Sequence, residues 1–265
     1  MQLTLGATTR PWHTFPFEEA CRSIAAAGYS DVAVFSNAGA IPVTSATTAE
    51  EAAAVGALAR GIGVEPTMLL SSPRLDLPVD EAVAEYCRLI DACAALGAPW
   101  LMNCGAEDPA TYEPFREIMR QCSPYGQERG VALAMKPHGG IGLTGRMMAE
   151  TAEAVGHPNF SICYDPGNII YYTKGERRPE TDVPDVAPHV SICIIKDCIV
   201  KDDTPDVWIL PGEGWVDFGS VLGSLTSAGF RGPLYVECLG GEEKADIDER
   251  AARTHELIGG IVAGL

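Results

Sequence analysis

Along this chain, short runs of continuously apolar residues alternate with longer stretches whose apolar positions recur at helical spacing. The apolar runs fall at residues 3–6, 31–35, 64–70, 100–103, 131–135, 160–164, 190–195 and 234–236. Runs of this kind, separated by amphipathic helices, are how parallel strands buried on both faces read in an α/β protein. The helical stretches cover residues 17–27, 48–60, 78–96, 109–129, 144–155, 217–228 and 244–261. Their ends carry matching signals: Asp80 and Glu81 in a first turn, Asp217 as a cap, and Gly28, Gly61 and Gly97 at exits. Pro124 is a candidate break within the fourth helix. Two segments, 171–180 and 201–215, stay polar and read as long loops. A strand-then-helix rhythm sustained over 265 residues predicts one domain, residues 1–265, folded as a (β/α)8 TIM barrel.

Four polar positions sharpen that picture. Lys136, Asp165, Lys196 and Glu237 each stand immediately after an apolar run, and they recur about every 30 to 40 residues. The carboxyl ends of barrel strands are where barrel enzymes hold their chemistry. The four side chains therefore nominate one mouth of the barrel as a candidate site. The structural alternative is a buried ion-pair network that closes the barrel without reacting. Asp197, beside Lys196, either shares a direct role or serves only to hold a lysine or a loop.

Composition narrows the partners. With 36 acidic against 19 basic residues, the formal net charge is −17, which repels phosphate backbones and anionic membrane surfaces. A small carbohydrate is the expected partner, with no nucleic acid and no membrane. No segment approaches the ~18 uninterrupted apolar residues of a membrane span, and residues 1–6 show neither the basic nor the apolar region of an export signal. A cytoplasmic location is expected. Nine cysteines, an odd number with no Cys-x-x-Cys pair, read as small core residues in a reducing compartment. A homo-oligomer, or a subunit working beside a partner chain, remains open at this stage.

The segments Tyr164-Asp-Pro-Gly-Asn168, Lys196-Asp197, Pro211-Gly-Glu-Gly-Trp-Val-Asp-Phe218 and Gly232-Pro-Leu-Tyr-Val-Glu237, in that order, resemble the xylose isomerase-like TIM-barrel superfamily. Its members include sugar phosphate isomerases and epimerases, hydroxypyruvate isomerases and apurinic endonucleases. The resemblance implies one divalent metal, held by Glu on the fifth strand, Asp on the sixth, His on the seventh and Glu on the eighth. Asp165 and Glu237 match two of these. Lys136 stands in place of the first Glu, and Ile194 in place of the His. Asn103 and Asn168 occupy positions where endonuclease-like members carry His. The chain thus reads as a divergent member lacking two of the usual ligands.

Physics limits what such a site can hold. A divalent ion (Mn, Mg or Zn) about 4 Å from a protonated Lys136 would be repelled by roughly 8 kcal/mol at an effective dielectric of 20. Either Lys136 replaces the metal, or a rearranged site binds it through Asp165, Glu237 and His138. His138 lies two residues beyond Lys136 and shares its face if the strand extends that far; with Pro137 before it and Gly139-Gly140 after it, it is otherwise a solvent-facing turn. Trp12, His13, Asn103, Asn168, Lys196 and Trp215 are candidate substrate-binding residues; for the tryptophans the alternative is ordinary packing at the rim, and for Asn168 a turn. Arg177 and Arg178 either meet an anionic group or are simply solvated. The expected activity is a sugar isomerase or epimerase, elimination included, that moves a proton next to a carbonyl of a sugar or sugar-derived acid. Glu237 would be the base, and Lys136 or the metal the electrophile. The alternative is a carbohydrate-binding barrel that has lost catalysis or needs a partner.

Overall fold

The computed structural model describes residues 3–265. Each apolar run becomes a strand: β1 (Leu5–Thr8), β2 (Asp31–Val34), β3 (Glu65–Leu70), β4 (Trp100–Asn103), β5 (Ala132–Met135), β6 (Phe160–Tyr164) and β7 (Val190–Ile195). A short antiparallel hairpin, β8 (Ile199–Lys201) and β9 (Thr204–Asp206), precedes the last barrel strand, β10 (Leu234–Val236). The eight long-range strands are all parallel and close in the order β1-β10-β7-β6-β5-β4-β3-β2, a (β/α)8 TIM barrel. Around them lie α1 (Phe17–Ala26), α2 (Ala49–Ile62), α3 (Val79–Leu96), α4 (Tyr112–Glu128), α5 (Gly145–Val155), α6 (Pro166–Tyr172), α7 (Pro179–Val186), α8 (Phe218–Ser227) and α9 (Lys244–Ala263). Local chemistry starts these helices: Thr48 and Glu51 form a reciprocal capping box on α2, and Asp217 caps α8 through Ser220 N–H at 2.9 Å.

Four sequence expectations shift. The first strand runs two residues later than its apolar run, because pairing of residues 5–7 with β10 and of residues 6–8 with β2 sets its limits rather than apolarity. The polar stretch expected as a loop at 171–180 is flanked by two short helices, each with Pro in its first turn, where the missing N–H costs nothing. Likewise the stretch at 201–215 begins inside the hairpin, turned by Asp202 and Asp203 at φ of 50° and 58°. At Pro124 the helix does not break: α4 continues through it to Glu128.

The two-residue period of the strands decides what enters the barrel. One buried cluster, containing Ala33, Phe35, Met68, Met102, Ala134, Cys163, Ile192, Ile194 and Tyr235, fills the interior, while neighbours such as Leu133, Met135, Tyr164, Ile195 and Val236 pack outward against the helices. Two residues beyond Ala134, Cys163, Ile194 and Tyr235 come Lys136, Asp165, Lys196 and Glu237. The same alternation that packs the core therefore aims all four charges at the top of the cylinder. No described helix is long and apolar enough to cross a membrane.

Candidate active site

The four charged groups meet. Lys136 Nζ donates to Glu237 Oε2 and lies 3.1 Å from Asp165 Oδ2. Lys196 Nζ donates to Asp165 Oδ2 at 3.0 Å, to Glu237 Oε1 at 2.7 Å and to Asn168 Oδ1 at 3.1 Å. Asp165 also caps α6, its Oδ1 accepting from Asn168 N–H at 3.0 Å, and the Asn168 amide donates to Pro137 O at 2.7 Å. Asn168 thereby ties the end of β5 to the turn after β6. Gly167 is what lets this turn lie on the lysine: a Cβ there would stand 2.7 Å from both Lys196 Cγ and its carbonyl oxygen.

All four charged side chains are nearly excluded from water, at 0 to 5% exposure. Burial pushes the Glu237 carboxyl up, but the two ammonium groups overcome it and hold the pKa at about 2. Burial opposes the charge on Lys136 and Lys196, yet the carboxylates win and both lysines are raised above their ordinary range. Two cations and two anions thus form a neutral tetrad. Lys196 uses all three of its N–H donors on protein; Lys136 donates to Glu237 and stands in ion-pair contact with Asp165, so at least one of its N–H groups has no partner among the described residues.

Lys136, Lys196 and Glu237 floor a cavity of about 290 Å³, with Asp165 behind them. Phe35, Leu70, Tyr171, Tyr172 and Trp208 supply apolar wall, and Arg10, Asn168 and His138 add polar groups. This combination of apolar wall and few convergent polar groups is that of a small-molecule site.

The other sequence candidates scatter. Trp12 is wholly buried, its indole N–H donating to Asp248 at 2.7 Å; it is a core residue and not a stacking platform, because the chain after β1 turns it inward. His13 lies outside the cavity, its ring 5.8 Å from that of Trp208. Asn103 is sealed below, donating to Tyr86 Oη at 3.3 Å, and is not part of the cavity lining. Trp215 also lies outside the cavity lining and packs on the Arg178 guanidinium, which pairs with Glu180 at 3.6 Å. Missed by sequence reasoning were Arg10, Phe35, Tyr172 and Trp208 as cavity residues. Arg10 directly follows the first strand segment, a position that signals the mouth of a barrel; Trp208 gave no such sign.

A divalent metal does not fit this donor set. Both oxygens of Glu237 and both of Asp165 already accept from an ammonium or a backbone N–H. Repulsion from each lysine at about 4 Å, roughly 8 kcal/mol, would cancel the attraction of the carboxylates. His138, the proposed third ligand, sits at the rim instead, Nδ1 3.1 Å from Glu107 Oε1 and ring against Tyr172; β5 ends at Met135, so its alternation is lost before residue 138. Where the resemblance expects His, Ile194 fills the barrel interior. Among the described residues no three His, Cys, Asp or Glu side chains are grouped to hold a metal.

The comparisons agree with the architecture. The family model of the xylose isomerase-like TIM barrel matches residues 21–257. A xylose isomerase domain protein from Planctomyces limnophilus superposes with a TM-score of 0.77 at 20% identity, covering 100% of this chain and 99% of that one. A xylose isomerase-like TIM barrel protein from Mycobacterium smegmatis, solved in complex with magnesium, gives 0.80 at 14% identity over 99% and 97% of the two chains. A D-psicose 3-epimerase solved in the presence of D-fructose gives 0.77 at 13% identity over 98% and 99%. At such identities the likeness is one of fold. No curated protein matches the chain in sequence.

Proposed function

The chain belongs to the xylose isomerase-like TIM barrel family, and from that premise we propose that it is a sugar isomerase or epimerase-like enzyme in which lysines do the work of the metal. The reading rests on one observation: a neutral, water-excluded tetrad of two lysines and two carboxylates on the floor of a small cavity. At about 290 Å³ that cavity is at the small end of ligand sites, which run from ~300 to 1,000 Å³. Sugar epimerases among the structures of like fold support the substrate class.

In this mechanism the open N–H of Lys136 donates to the substrate carbonyl oxygen. Glu237 takes the proton from the neighbouring carbon, the electron pair of that C–H bond forms a carbon–carbon double bond, and the π pair of the carbonyl moves onto its oxygen to give an enediolate. A carboxylate held at about 2 is a weak base in the free protein. Once a substrate oxygen draws Lys136 away, Glu237 loses its closest cation and its basicity rises toward that of an ordinary carboxylate. As the proton leaves carbon, negative charge passes from carboxylate to substrate, and the fixed ammonium groups stabilise it in its new place. Return of the proton to the adjacent carbon gives isomerisation, delivery of a solvent proton to the opposite face of the same carbon gives epimerisation, and expulsion of a β-hydroxyl gives elimination. Asp165 keeps Lys196 and the α6 turn in position.

The test is to incubate the purified protein in deuterium oxide with a panel of ketoses, aldoses and sugar acids and follow exchange at the carbon beside the carbonyl by NMR. Exchange that survives a chelator and disappears in Glu237→Gln supports the reading. Measurable sugar binding with no exchange on any member sinks it. That outcome would instead favour a carbohydrate-binding barrel without turnover, a reading which the full pairing of both Glu237 oxygens also suits.

A further inference from the structure

Resting on the reading of the same cavity as a sugar site, we infer that the ligand carries a carboxylate, received by Arg10 at the rim. The tetrad is electrically balanced, so any further charge on the cavity lining sets the preference for ligand charge. That further charge is Arg10, exposed on the lining and in no ion pair among the described residues, in a chain with 36 acidic side chains available to neutralise it. Of the two loop arginines, Arg178 packs on Trp215 and pairs with Glu180, and neither it nor Arg177 lines the cavity.

The guanidinium of Arg10 is held rather than loose. It lies 5.5 Å from the centroid of the Trp208 ring, a cation–π contact, and the Trp208 backbone is anchored by its N–H, which donates to Asp206 Oδ1 at 2.8 Å at the end of the hairpin. The Arg10 backbone N–H donates to Thr8 Oγ1 at 3.3 Å, anchoring the residue to the end of β1. A planar fork presented in this way matches a carboxylate with two parallel hydrogen bonds. A phosphate dianion usually calls on several donors, commonly a helix N-terminus or a glycine-rich backbone cradle. The cavity lining offers one arginine and contains no glycine. A sugar acid, with its carbonyl at Lys136 and its carboxylate at Arg10, fits this distribution of charge better than a neutral sugar or a sugar phosphate.

Isothermal titration with glucuronate, glucose and glucose 6-phosphate, on the wild type, Arg10→Gln and Arg10→Lys, tests it. The acid is expected to bind at least tenfold more tightly than glucose and more tightly than the phosphate. That ratio should fall to about one in Arg10→Gln, with an intermediate ratio in Arg10→Lys, which keeps the charge and loses the fork. Equal binding of acid and glucose, preference for the phosphate, a ratio unchanged by Arg10→Gln, or no binding of any of the three overturns the inference. Because the readout is binding, it separates from the proposed chemistry. A charge preference without deuterium exchange leaves Arg10 standing and removes the isomerase; exchange on neutral sugars with no dependence on Arg10 does the reverse.

Discussion

Lys196 and Asp197 are adjacent in sequence, both buried and both charged, yet they belong to two different kinds of site. Asp197 faces the loop beyond β7, where its carboxylate accepts four backbone N–H groups: Cys198 at 2.8 Å, Gly212 at 2.9 Å, Gly214 at 2.8 Å and Val216 at 3.0 Å. No cation among the described residues takes part. Lys196 faces the cavity and is satisfied by side-chain tips, those of Asp165, Asn168 and Glu237. Backbone donors fixed by the fold cannot be traded for a ligand, so the Asp197 carboxylate is a clamp. Side-chain ammonium groups can exchange a carboxylate for a substrate oxygen, so the tetrad is suited to chemistry. Gly214 shows how closely the clamp is built: a Cβ there would collide with the Asp197 carboxylate.

That contrast is broken most forcefully by Glu237→Gln. If Glu237 moves a proton, deuterium exchange should fall by about 10²- to 10⁴-fold, the usual contribution of a general base. Next in size, Asp197→Ala leaves four donors without their acceptor and should cost about 3 kcal/mol of stability in urea unfolding. Under conditions where that variant is fully folded, exchange should stay within about tenfold of the wild type. A loss of activity as deep as that of Glu237→Gln would dissolve the distinction between clamp and tetrad.

A smaller effect comes from a double-mutant cycle on the tetrad. Lys136→Met and Glu237→Gln each strand a buried charge, while the pair together removes both, so the double variant should be more stable than the sum of the singles by about 1–3 kcal/mol. Simple additivity would mean the two groups are not coupled in solution.

The pH dependence of unfolding is a gentler probe. The folded pKa of Glu237 lies near 2, below its ordinary value, so its contribution to stability is complete above about pH 4.3 and is lost as pH falls toward 2. The lysines, raised in the fold, contribute fully below about pH 10.4 and lose that contribution only at still higher pH. Glu237→Gln should therefore flatten part of the acid-side loss of stability and leave the neutral range flat. An unchanged acid limb would mean that Glu237 is not held in its charged form by the lysines. The smallest change expected is none: a chelator should leave exchange untouched, since the donors a metal would need are already paired.

Much of this was legible before folding. The apolar runs at 160–164, 190–195 and 234–236 coincide with their strands, and the charges that follow them are the tetrad, because a two-residue side-chain period and a strand end are local properties. The resemblance located Asp165 and Glu237, and the exchange of two expected ligands for Lys136 and Ile194 left two choices, Lys136 in the metal's place or a rearranged metal site with His138. Less legible were residues whose role depends on where a loop travels. Trp12 and Trp208 are both loop aromatics after a strand, and nothing local separates the one buried against α9 from the one exposed at the rim. Likewise, His138 shares the face of Lys136 only if the strand runs on, and β5 ends at Met135, one residue before Lys136 but three before His138.

The sequence alone, then, determined the cylinder and which four charges stand at its mouth, since these follow from short-range alternation and from the order of the strands. Only the tertiary structure decided that those charges neutralise one another into a tetrad, that Asn103 lies beneath the mouth and His138 on its rim, and that Arg10 is left without an anion. Pairing, burial and the course of loops depend on residues more than a hundred positions apart, such as Lys136 and Glu237, and distance in space is what sets the strength of a charge interaction.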